Sequence, residues 1–76
     1  MEKHDLRHEF PEFETKIHEM KISDLHFKKL FDEYHEITNE IHRIETGAEV
    51  TSDEVLNRLR IHRVELKDQL YAMLKN

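Results

Sequence analysis

The 76-residue sequence has no cysteine, one glycine and one proline. Without cysteine there is neither a disulfide nor a thiol nucleophile, and the absence is compatible with a reducing compartment. One glycine rules out the glycine-rich loop that cradles phosphates. Only two serines occur, Ser23 and Ser52. Both fall where helices are expected to start, and there capping is the expected task of a short hydroxyl side chain. No apolar run approaches the ~18 residues of a membrane span. Met1 to His8 is charged and lacks the apolar centre of a secretory signal. These absences point to a cytoplasmic, non-catalytic protein without a cofactor.

Charge is what the chain has in quantity. Residues Asp, Glu, Lys and Arg make up 38% of it, and the formal net charge is −5 with histidines neutral. That sign opposes non-specific attraction to nucleic acid and to anionic membrane surfaces. Both signs are interspersed, and Glu12–Lys16, Lys28–Asp32, Lys29–Glu33 and Glu54–Arg58 stand four apart, the spacing that supports a solvated helix.

Apolar residues recur at steps of three and four on both sides of Gly47. Upstream are Phe27, Leu30, Phe31, Tyr34, Ile37, Ile41 and Ile44; downstream are Val55, Leu56, Leu59, Leu66, Leu70 and Met73. Such spacing places each set on one helix face. Glycine suits the left-handed position that closes a helix. Thr51 and Glu54 fit a capping box at the start of the next. The spacing predicts helices over 24–45 and 52–74, the first roughly 33 Å long at 1.5 Å per residue. Matched lengths and a short connector predict an antiparallel pairing, with Ile41 near Leu56, Tyr34 near Arg63 and Phe27 near Leu70.

The remaining segment, 1–22, carries Pro11 in a position suited to the first turn of a helix. A short helix from about Pro11 to Met20 is expected, with Phe10, Phe13, Ile17 and Met20 along one side. Ser23 and Asp24 then interrupt the apolar series and start a new helix. An uninterrupted helix through this point is the alternative. The whole reads as one all-α domain over 1–76: an antiparallel helical hairpin of two long helices with a short N-terminal helix. A chain this small buries only roughly 60% of the surface its unfolded form exposes. Either the first segment folds across the hairpin, or two hairpins associate into a bundle; the second Phe10–Met20 face favours self-association.

Seven histidines are the main prompt for chemistry. His4 and His8, one turn apart, have Asp5 and Glu9 beside them, a spacing that zinc or nickel can use. Solvent-exposed imidazoles are the plainer expectation, and no metal site is assigned. His35 and His42 lie seven apart and read as a polar flank. With an ordinary histidine pKa of about 6.5, acidification carries the chain from net negative towards positive. On the last helix Arg58, Arg60, Arg63 and Lys67 form a basic stripe, either a dock for nucleic acid or an acidic partner, or a match for Asp32, Glu33 and Glu40 on the facing helix. Arg63 falls close to the apolar seam, where its stem is expected to pack while its head reaches Tyr34 or a carboxylate.

The stretches HDLRHEFPEF (His4 to Phe13), KISDLHFKKLFDEYHEI (Lys21 to Ile37), IHRIE (Ile41 to Glu45) and LRIHRVELKDQLYAML (Leu59 to Leu74) together resemble the YdcH-like family of small bacterial proteins of unknown function. The resemblance spans nearly the whole chain. It implies a helical hairpin in a cytoplasmic bacterial protein and brings no activity, cofactor or catalytic residue with it. The functional expectation is therefore a helical adaptor that binds a protein partner or itself as a homodimer through Phe10, Phe13, Ile17 and Met20. The alternative is a nucleic-acid-associated regulator using Arg58, Arg60, Arg63 and Lys67.

Overall fold

A computed structural model describes residues 6–75, apart from the side chain of Arg7. Among the described residues the protein is all-α. A single turn, α1 (Leu6–Glu9), is followed by a 3-10 turn (Pro11–Phe13), then α2 (Glu14–Ser23), α3 (Leu25–Glu45) and α4 (Asp53–Leu74). Helices α3 and α4 form the hairpin.

Its turn is built by Gly47, at φ +84° the one described residue with positive φ. The Gly47 amide bonds the Ile44 carbonyl at 3.2 Å, and the Glu49 amide bonds the Arg43 carbonyl at 3.1 Å. These bonds occupy carbonyls that the end of α3 would otherwise leave free. Thr46 adds a hydroxyl bond to the His42 carbonyl at 2.9 Å. The start of α4 differs from the capping box expected at Thr51 and Glu54. The cap is Ser52, whose hydroxyl accepts the Val55 amide at 3.2 Å. Starting one residue later puts Val55 in the position the box reserves for glutamate, so no reciprocal bond forms. Glu54 pairs instead with Arg58 one turn on.

At Asp24 the chain is extended, with φ −130° and ψ 107°. The Asp24 carboxylate accepts the Phe27 amide at 3.1 Å and caps α3. The Ser23 hydroxyl turns back onto the Glu19 carbonyl at 2.9 Å. Of the two residues read as a break, Asp24 is the cap and the helix is interrupted there. The N-terminal segment folds back across the hairpin. Leu6 and Ile17 are buried together with Phe27, Phe31, Tyr34, Ile37, Ile41, Leu66, Leu70 and Leu74. Phe10 is non-helical, at φ −132° and ψ 67°, as a residue before proline tends to be. Phe10 thereby separates α1 from the 3-10 turn, and the apolar spacing does not predict α1.

Candidate functional site

The sequence pattern marks Phe10, Phe13, Ile17 and Met20 as a spare apolar face. Folding back puts them to use within the chain. Ile17 is only 1% exposed and belongs to the core, while Phe10, Phe13 and Met20 are half-buried against it. The premise that the hairpin does without them is corrected on this point. A helix of ten residues can hide one apolar side only by lying against its neighbour, and α2 lies against α3. Phe10 stacks on Tyr71 of α4 with ring centres 5.0 Å apart, and Phe13 meets the same ring edge-on at 5.9 Å. Glu9 beside them approaches the Lys67 ammonium at 3.7 Å.

The basic stripe is largely matched within the chain. Arg58 pairs with Glu54, Arg60 with Glu45 at 2.7 Å, and Lys67 with Glu9. The partners are not the expected ones. Asp32 holds Lys28 on its own helix at 3.0 Å, and Glu33 crosses the hairpin to His62 at 3.1 Å. The Glu33–His62 contact joins the immediate neighbours of Tyr34 and Arg63, the pair expected to face each other. Arg63 is half-buried on the seam side of α4. Apart from the half-buried Lys67–Glu9 these pairs are open to solvent, where each contributes at most about 1 kcal/mol.

The histidines divide by environment. His4 lies outside the described residues, and His8 is exposed on α1. His35 packs on the Phe31 ring at 4.4 Å and edge-on to Tyr34 at 5.6 Å, so it extends the aromatic seam. His42 is exposed. Among the described residues no group of three His, Asp or Glu side chains is arranged to hold a metal ion. A shallow cavity of about 300 Å³ between α2 and α3 is lined by Glu14, Thr15, Ile17, His18, Lys21 and Phe31. The Lys21 ammonium sits over its Phe31 floor, 4.5 Å from the ring centre. That cation–π contact engages the Lys21 ammonium within the chain.

What the sequence reading missed is the outer face of α4. Ile61 is 61% exposed, Val64 50% and Tyr71 39%. Their spacing of three and seven is itself helical and was legible, but Leu56, Leu59, Leu66 and Leu70 define a stronger stripe on the same helix. Further apolar side chains stand in solvent at Ile22 and Leu25, on either side of the α2–α3 break.

A family model described as "Protein of unknown function (DUF465)" matches residues 27–74, the hairpin from the first buried phenylalanine of α3 to the last leucine of α4. The chain belongs to this family. The YdcH-like proteins that the sequence resembles are DUF465 members. Neither curated proteins nor solved structures provide a match. The DUF465 match begins beyond α2, so the Pro11–Ser23 cover lies outside it and the outer face of α4 lies within it. Among the described residues, no helix is long and apolar enough to cross a membrane.

Proposed function

We propose that this DUF465 member is a non-catalytic helical interaction module of the bacterial cytoplasm. The observation that carries the reading is Ile61 and Val64, held in solvent on the side of α4 turned away from the hairpin seam. Full burial of such a side chain is worth about 1.5–3 kcal/mol, and Ile61 and Val64, 61% and 50% exposed, retain about half of it to gain. Tyr71 continues the stripe and joins it to Phe10 and Phe13, so two of the four residues first expected to bind a partner remain at its edge. Aromatic side chains of this kind often anchor interfaces. Several polar groups have structural tasks: Ser52 and Asp24 cap helices, and Glu9, Glu33, Glu45 and Glu54 hold cations or imidazole. The nucleic-acid reading of Arg58, Arg60, Arg63 and Lys67 is weaker, since three of these cations already face carboxylates.

The test is capture of interacting proteins by the tagged full chain, beside an Ile61→Lys variant whose helical signal is checked by circular dichroism. Species retained by the parent and lost by the variant are expected. An identical set retained by both would overturn the assignment of this face.

A further inference from the structure

We propose that the outer face of α4 binds the same face of a second copy of the chain, antiparallel, about a two-fold axis between Ile61 and Val64. The proposal deepens the interaction reading by naming the occupant. Along α4, Glu54, Asn57, Ile61, Val64, Asp68 and Tyr71 recur at steps of three and four, and all six are exposed. This is the spacing of a two-helix seam, about 26 Å long at 1.5 Å per residue.

The order of these residues matches its own reverse. When Ile61 meets Val64 of the second copy, Asn57 meets Asp68 of that copy and Glu54 meets its Tyr71. The two-fold axis repeats each pairing, as an isologous interface requires. Each of these three seam pairings is chemically complementary. Isoleucine meets valine; an asparagine amide donates to a carboxylate; a phenolic hydroxyl donates to a carboxylate. Tyr71 has the exposure for this because Phe10 and Phe13 cover it only in part. On one flank Arg58, which also pairs with Glu54 on its own helix, comes opposite Glu65 of the second copy, both exposed. On the other flank Arg60 and Lys67 approach their counterparts, but each already faces a carboxylate, Glu45 or Glu9. A parallel pairing would set Asp68 against Asp68 and Glu54 against Glu54, and like charges in such register repel. Complementary seam pairings therefore favour a second copy, and the like charges that a parallel seam would oppose favour the antiparallel direction. With apolar contact confined to the two central layers, the dimer is weak and concentration-dependent.

Sedimentation of the full chain over a range of concentrations reads the association. A monomer–dimer equilibrium is expected, abolished by Ile61→Lys. Arg58→Glu or Glu65→Arg alone should weaken it about fivefold, and the two together should restore it, because the swapped charges again meet across the axis. All these positions are exposed, so helicity measured alongside should change only slightly, through loss of the Glu54–Arg58 pair in Arg58→Glu. Direction is read with single cysteines in this cysteine-free chain. An oxidised mixture of Asn57→Cys and Asp68→Cys should form the mixed disulfide, while Asn57→Cys alone should not. Its two copies would stand about 16 Å apart along the axis, far beyond disulfide reach. A monomer at every concentration, failure of the charge swap to restore association, or self-crosslinking of Asn57→Cys would overturn the proposal. If the chain stays monomeric but captures other proteins through Ile61, the dimer falls and the interaction reading stands. If neither occurs, both fall.

Discussion

At the scale of single residues, Gly47 shows how much one position can decide. A Cβ there would meet nothing within 4 Å, yet φ is +84°. The requirement is therefore conformational and not one of space. L-residues other than glycine are disfavoured in this region by roughly 1–2 kcal/mol. Gly47→Ala is expected to lower unfolding free energy by about that amount, measured by urea denaturation, with Gly47→Asn closer to the parent. Equal stability of the alanine variant would mean that the turn takes another form. This residue was legible because the chain has only one glycine and an apolar series ends before it. The cap of α4 was legible to within one position. Thr51 and Ser52 offer the same hydroxyl chemistry side by side; Glu54 three residues on favoured Thr51, and the structure uses Ser52.

At the scale of elements, the interruption at Asp24 and the docking of α2 make separate predictions. Asp24→Ala removes the bond to the Phe27 amide and should cost about 1 kcal/mol, as N-cap removal generally does. Alanine is also the best helix former, so helical content by circular dichroism should rise slightly even as the denaturation midpoint falls. A loss of both would show that Asp24 has no competing helical state to suppress. Ile17→Ala truncates a side chain in the core and should cost about 2–5 kcal/mol. A 76-residue chain has a total stability of about 4–11 kcal/mol, so this single change should remove a large part of it. An Ile17→Ala protein as stable as the parent would mean that α2 is not docked.

The same elements show where reading from sequence stops. The long helices were legible because Phe27 to Ile44 and Leu56 to Met73 keep a helical rhythm, the second interrupted only where Arg63 stands between Leu59 and Leu66. The face of α2 was legible as apolar but not as occupied. Periodicity identifies which residues share a side and carries no information about the surface they meet. Phe13 and Ile17 thus look spare in the sequence, although the first lies against Tyr71 and the second is buried. The turn α1 escapes for a different reason. One turn has too few residues for a period to show, and Pro11 points away from helix at Phe10 immediately before it.

At the scale of the whole molecule, the helices leave one problem unsolved. The hairpin buries one side of α4 against α3, and among the described residues the N-terminal segment meets its other side at Tyr71 and Lys67. The middle of the outer face, Ile61 and Val64, is left in water. A chain of this length has little stability to spare, and a second copy on that face would supply more by mass action. The melting temperature should then depend on protein concentration. Over a hundredfold increase it should rise by several degrees, since about 1 kcal/mol moves the midpoint of so small a domain by about 4–8 °C. Ile61→Lys should remove that dependence while leaving the dilute melting temperature almost unchanged, because the side chain it replaces is not part of the monomer's core. Scanning calorimetry of both proteins at matched concentrations makes the comparison. A concentration-independent midpoint for the parent would mean that no second copy covers the outer face of α4 and that this face adds nothing to the chain's own fold.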